Sequence, residues 1–111
     1  LGPSNASEWY LGYSTKYGDS GADIMPIANI LKTDIFEIAK ELGLPEFIIN
    51  KKPSAGLWQG QTDEDEMGFT YEVLDAYIRG EKVPEKEKTE KIDRMHKNSS
   101  HKRVMAPKFE I

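Results

Sequence analysis

Apolar residues recur at helical spacing along much of the chain. Ala6, Trp9, Tyr10 and Tyr13 share one face of a first helix. Ser4 or Asn5 caps it, and Glu8, three residues after Asn5, completes a capping-box pattern; Gly18 ends the run. Ile35, Ile38, Ala39 and Leu42 fall at i, i+3, i+4 and i+7 of the clearest helix, opened by Thr33 or Asp34 and stopped by Gly43. Tyr71, Leu74, Tyr77 and Ile78 make a third such face between Thr70 and Gly80. Pro84 begins a last, highly charged helix with a thin stripe of Ile92 and Met95, and the tail after Lys97 reads as irregular. Shorter helices are predicted from Pro45 to near Asn50, and after Thr62, where Asp63, Glu64 and Asp65 complement the positive end of the helix dipole.

The remaining stretches read differently. Gly18-Asp19-Ser20-Gly21 is a turn and Lys51 to Gly60 a loop. Ala22–Ile27 is short, partly β-branched and carries Pro26, which predicts one extended, edge-like piece. One strand cannot make a sheet. The opening Leu1-Gly2 before a helix cap resembles the end of a strand, so the expectation is the back part of a larger domain. At 111 residues the chain allows one domain, 1–111, with no internal repeat.

Composition narrows the function classes. With 31% charged and 38% hydrophobic residues the chain has the balance of an ordered globular protein. Its longest apolar runs, such as Phe47-Ile48-Ile49, fall far short of the roughly 20 residues of a membrane span, and the first residues do not form a secretory signal. The absence of cysteine removes disulfides, thiol nucleophiles and thiolate zinc sites, and it suits a cytoplasmic setting. Charge is unevenly spread within the net −4: residues 1–80 carry 6 basic and 13 acidic side chains, and residues 81–111 carry 9 and 6. An acidic body argues against nucleic acid as a partner, while a basic tail suits a phosphate-bearing small molecule.

The common nucleotide and hydrolase motifs are missing. The Asp63–Glu66 cluster fails as a calcium loop, because Met67 and Leu74 occupy positions where oxygen ligands are required. His96 and His101 lack an evident third zinc ligand. Three charged features remain: Lys16, Asp19 and Asp23 around a glycine turn, Lys32 directly before a helix start, and the basic cluster His101-Lys102-Arg103.

Taken in order, these segments resemble one family. The segments are Ser4-Asn5-Ala6-Ser7-Glu8, Leu11-Gly12-Tyr13-Ser14-Thr15-Lys16-Tyr17-Gly18-Asp19, Gly21-Ala22-Asp23-Ile24, Pro26-Ile27, Lys32-Thr33, Lys52-Pro53-Ser54-Ala55-Gly56-Leu57-Trp58, Gly60-Gln61-Thr62-Asp63-Glu64 and the terminal His101-Lys102-Arg103. This ordered set, spanning nearly the whole chain, resembles the ammonia-dependent NAD synthetases. The resemblance implies an α/β, adenine nucleotide α-hydrolase-like (Rossmann-like) family fold, of which this chain is the mainly α-helical C-terminal part with at most one short strand. It implies a ligase of NAD biosynthesis: ATP adenylates the nicotinate carboxylate of deamido-NAD, and ammonia displaces AMP to give NAD. It also implies Mg2+, a cytoplasmic homodimer, Glu8 as a metal ligand, Lys32 and Ser54 on ATP with Lys32 acting in catalysis, and Lys16, Asp23, His101 and Lys102 on deamido-NAD. Glu8 has the capping box as an alternative or additional role.

Two departures stand out. The family's entry threonine, which lies near ATP, is replaced by Pro3, which has neither hydroxyl nor N–H. The family's pyrophosphate loop and strands belong upstream of Leu1, so the isolated chain is expected to be inactive. A noncatalytic helical interaction or assembly module is the rival reading. The synthetase domain of a glutamine-dependent enzyme is a third, less favoured by Ala22-Asp23-Ile24 and the Ser54–Glu64 loop.

Overall fold

The computed structural model describes residues 1–111 and contains helices and turns, with no strand. In chain order the elements are α1 (Ala6–Leu11), α2 (Lys32–Glu41), α3 (Glu46–Ile49), α4 (Asp63–Met67), α5 (Tyr71–Ile78) and α6 (Lys86–Asn98), followed by a 3-10 turn at Ser100–Lys102. None of the helices is long and apolar enough to cross a membrane.

Local chemistry sets most of the boundaries. Asn5 Oδ1 accepts the Glu8 N–H at 3.0 Å, and Glu8 Oε2 accepts the Asn5 N–H at 3.1 Å, so the capping box is formed. Thr62 and Thr70 cap α4 and α5 in the same way, through the N–H groups of Asp65 and Val73. The expected first helix through Tyr13 to Gly18 is shorter, because Gly12 takes a left-handed conformation (φ 67°) and closes α1 after Leu11. There is also no room for a side chain here, since a Cβ on Gly12 would lie 2.1 Å from Ser99 Cβ.

Other boundaries depart from the sequence expectation for tertiary reasons. The Ala22–Ile27 piece is not a strand: Gly2 N–H donates to the Ile24 carbonyl at 2.7 Å, but turns at Met25–Ala28 and Ile27–Ile30 follow at once. Pro26 has no N–H for a ladder, and no second strand lies alongside. Helix α2 starts at Lys32 rather than at Thr33 or Asp34, and its N-cap, Leu31, has no side chain that can cap it. Helix α6 starts at Lys86, two residues after Pro84.

The core is small and sits where α1, α5 and α6 meet. Leu11, Met67, Phe69, Tyr71, Leu74 and Ile92 are buried together, fringed by Tyr10, Tyr13, Val73, Tyr77, Ile78 and Met95. Helix α2 packs on α1, α3 and α5, yet it buries none of its residues: Ile38 and Leu42 are 43% and 73% exposed. Phe47 and Ile48 on α3, and Leu57 and Trp58 in the following loop, are exposed as well. The apolar stripe of the clearest predicted helix is therefore covered only in part, with Ile35 and Ala39 half-buried and Ile38 and Leu42 exposed, and the core is built on the shorter helix after Thr70.

Candidate functional site

Two charged clefts both draw lining residues from the segment 13–23, Tyr13 and Asp19 for one and Lys16, Tyr17 and residues 20–23 for the other. In the first, of about 260 Å3, Glu8, Lys32 and Ser54 converge, with Pro3, Tyr13, Asp19 and Asp63 completing the lining. The second, of about 380 Å3, is lined by Lys16, Asp23 and Lys102 together with the tail at Val104–Ala106. His101 stands beside it, its Nδ1 3.5 Å from Lys16 Nζ. The residues that sequence resemblance assigns to ATP and metal thus occupy one cleft, and those it assigns to the dinucleotide cluster at the other.

Each residue of the first cleft is held by a different element. Glu8 projects from the first turn of α1, where Oε2 serves the capping box and Oε1 lies 3.4 Å from Lys32 Nζ. The capping role and a place in the cleft therefore coexist in one side chain. Lys32 is the first residue of α2, and its ammonium also sits 5.4 Å from the centre of the Tyr71 ring. Both partners of the Glu8–Lys32 pair are about one-fifth exposed, which leaves them open to a ligand.

Ser54 lies in the loop before α4. Its hydroxyl donates to the Gln61 carbonyl at 2.7 Å and accepts the Gly56 N–H at 3.0 Å. Gln61, nearly buried, organises this loop: its Oε1 accepts the Leu57 N–H and its Nε2 donates to Glu66 at 2.9 Å. Tyr13 O–H also donates to Glu66, at 2.6 Å. The tyrosine's hydroxyl is pushed above its ordinary range, first by burial and then by the Glu66 bond. Glu66 is held below the ordinary glutamate value by the Tyr13 hydroxyl and then by Gln61. The loop is thereby fastened to the cleft wall.

The acidic lining suits a cation paired with an anionic ligand. Asp63 is 6% exposed; Tyr71 O–H donates to its Oδ2 at 3.1 Å, and its Oδ1 is buried with no hydrogen-bond partner. A buried lone carboxylate oxygen is costly unless something pairs with it, and a cation or a ligand N–H would do so. No three metal-ligating side chains of this chain converge on one point. A Mg2+ ion would therefore take Glu8 or Asp63 here and fill its shell from water or substrate oxygens, as this ion usually does. In the sequence Asp63 is one acid among four at the helix start after Thr62, where the helix dipole explains its charge without a ligand; its burial and its unpartnered oxygen set it apart from the others.

In the second cleft Lys102 has a structural duty besides its place in the lining. Its ammonium donates to the Gly12 carbonyl at 2.7 Å and the Ser14 carbonyl at 2.6 Å. Arg103 beside it donates to the carbonyls of Trp9, Tyr10 and His96 and to Ser99 Oγ. The basic cluster of the tail therefore locks the C-terminal end of α1 to that of α6. His96 and His101 do not share a site: His96 stacks on Tyr10 with ring centres 4.0 Å apart, and its Nδ1 lies 2.8 Å from the Tyr10 carbonyl.

A lysine and carboxylates thus line one cleft, and two further lysines line the other. Comparison with known proteins specifies the family. The NAD synthase family model matches residues 1–106, and the chain belongs to that family. It is 60% identical over all 111 residues to an NH(3)-dependent NAD(+) synthetase of Finegoldia magna, and 52% identical to one of Alkaliphilus oremlandii. A solved structure of NMN synthetase from Francisella tularensis superposes with a TM-score of 0.91 at 49% identity, covering 97% of this chain. The chain spans about 45% of the length of the Finegoldia relative and of the Francisella structure.

Proposed function

We propose that this chain is the C-terminal portion of an ammonia-dependent NAD synthetase, a ligase of the adenine nucleotide α-hydrolase-like class that works as a cytoplasmic homodimer. The observation that carries the reading is the convergence of Glu8, Lys32 and Ser54 on one cleft. The nicotinate carboxylate of deamido-NAD attacks the α-phosphorus of ATP and pyrophosphate leaves. Ammonia then adds to the resulting acyl adenylate, the bond to AMP breaks, and a proton is released as the amide of NAD forms.

In this reading Lys32 bears on the triphosphate, where negative charge is redistributed as pyrophosphate departs, and its ammonium strengthens its hold in the transition state. Ser54 orients the nucleotide from the loop. Glu8 would hold Mg2+, whose contribution when bound is to neutralise phosphate charge. Lys16, Asp23, His101 and Lys102 bind deamido-NAD, with Lys102 also fastening the backbone just after α1 through the Gly12 and Ser14 carbonyls. Because the matched relatives are more than twice as long, the isolated chain is inactive in this reading. The name of the Francisella structure supports a second reading, in which the amidated product is the mononucleotide NMN.

The test uses an assembled enzyme, made by joining this chain to the rest of the Finegoldia magna relative. Lys32→Ala is expected to slow adenylation by roughly 30- to 1,000-fold with little change in KM for deamido-NAD, the loss expected of an interaction made in the transition state. Lys102→Ala is expected to raise that KM with a smaller effect on kcat. Parent-like kinetics for Lys32→Ala would remove the residue from ATP, whereas an assembled enzyme with no turnover at all would favour the noncatalytic helical module. Faster turnover of nicotinate mononucleotide than of deamido-NAD would favour the second reading.

A further inference from the structure

Asp75 plays no part in either cleft, yet it is completely buried on α5. Its carboxylate receives three hydrogen bonds from two other helices. Ser7 Oγ of α1 donates to Oδ1 at 2.5 Å, while the N–H and hydroxyl of Thr33 on α2 donate to Oδ2 at 2.9 and 2.8 Å. Ser7 Oγ in turn accepts the N–H of Lys32 at 2.9 Å. Helix α2 has no cap of its own, since its N-cap is Leu31. The cap is instead borrowed: Ser7 satisfies the first N–H of the helix, and Asp75 satisfies the second and holds Ser7 in orientation.

We infer that Asp75 is a positioning residue for Lys32: its buried carboxylate caps α2 across the fold and fixes where the ammonium of the first helical residue stands. The inference rests on the reading above in giving Lys32 a role on ATP. The consequence for chemistry is geometric. Lys32 begins α2 with its N–H bound to Ser7, one residue before Glu8 in α1, so the same contact sets the separation of the two charged groups across the cleft. If the cap is lost, the first turn of α2 frays, and the lysine samples positions from which it no longer meets the developing charge.

Asp75→Asn is the informative substitution. It keeps the volume, but an amide N–H2 must then face a donor that Asp75 accepted. In the assembled enzyme adenylation is expected to fall about tenfold, with KM for deamido-NAD within about twofold of the parent. In a Lys32→Ala background the same substitution is expected to add less than about a further twofold, because its effect runs through the lysine. Losses that multiply in the double variant would overturn the inference, since they mark a general structural role. Ser7→Ala, a milder change that spares the carboxylate, provides the second variant, with the same coupling to Lys32 expected. Amide hydrogen exchange gives a readout independent of activity: Lys32 and Thr33 are expected to exchange at least about tenfold faster in Asp75→Asn, with α6 amides unchanged. If Lys32→Ala alone has no kinetic effect, the ATP reading fails while exchange still tests the cap. Unchanged exchange at Lys32 and Thr33 would refute the cap itself.

Discussion

Arg103 should be worth about as much to this fold as a fully buried residue of its small apolar core such as Leu74 or Ile92. Its guanidinium meets the C-terminal ends of two helices at once: Nη1 donates to the carbonyls of Trp9 and Tyr10 at 3.2 and 3.1 Å and to Ser99 Oγ at 2.9 Å, and Nη2 donates to the carbonyl of His96. Both helix dipoles present their negative ends to it. A hydrogen bond from a charged group is worth about 1.5–3 kcal/mol, and the bonds here share nitrogens, so about 3 kcal/mol is expected for the whole set. Total stabilities run at roughly 5–15 kcal/mol, and a core this small points to the lower end. Arg103→Ala should therefore lower the melting midpoint by at least about 10 °C, at roughly 4 °C or more per kcal/mol for a chain of this size. Arg103→Met separates causes, because it retains much of the apolar stem while removing every donor. It should cost nearly as much as Arg103→Ala. Thermal and urea unfolding followed by far-ultraviolet circular dichroism would measure both. A midpoint within about 2 °C of the parent for Arg103→Ala, or a parent-like Arg103→Met, would show that the donors do not hold the two helices.

Two further outcomes follow from the packing and the charges. Gly12→Ala puts a Cβ 2.1 Å from Ser99 Cβ at a backbone φ of 67°, so a loss of about 3 kcal/mol or more is expected in urea unfolding, partly restored by Ser99→Gly; full stability in the single variant would contradict the close approach. Glu66 is held below its ordinary value of 4.5 by Tyr13 and Gln61, so this contribution is fully present above that value and is lost as pH falls through the lowered one; the stability gap between parent and Tyr13→Phe should narrow on acidification below about pH 4, and a gap independent of pH would refute the pairing.

Much of this protein is written locally. The capping box at Asn5 and Glu8 and the caps at Thr62 and Thr70 are decided by side chains within a few residues of the backbone groups they satisfy, and the short helix after Pro45 by the fixed φ of the proline, so the sequence alone is enough to read them. The ordered motifs also sufficed for the family. What lay beyond local reading was the direction of each apolar face. Ile35, Ile38 and Leu42 have the best helical spacing in the chain, yet Ile38 and Leu42 are exposed while Tyr71 and Leu74 are buried, because spacing defines a stripe without saying what covers it. The strand expected at Ala22–Ile27 failed for a related reason: extended backbone becomes a strand only beside a partner.

The same division runs through the site. Sequence named Glu8, Lys32 and Ser54 one by one, but only the tertiary structure brought α1, α2 and the loop before α4 to one cleft and spent half of the Glu8 carboxylate on its own helix. Asp75 is not singled out by the sequence, and for Asp63 and Arg103, which it names only within an acidic and a basic cluster, it gives neither the burial of the one nor the partners of the other. A charged side chain on an amphipathic helix looks the same in sequence whether it faces water or a buried donor, and that difference depends on residues as distant in the chain as Ser7 from Asp75. Short-range hydrogen bonding is encoded where it acts, whereas burial, and the meeting of charges that burial makes consequential, exists only once the helices have packed.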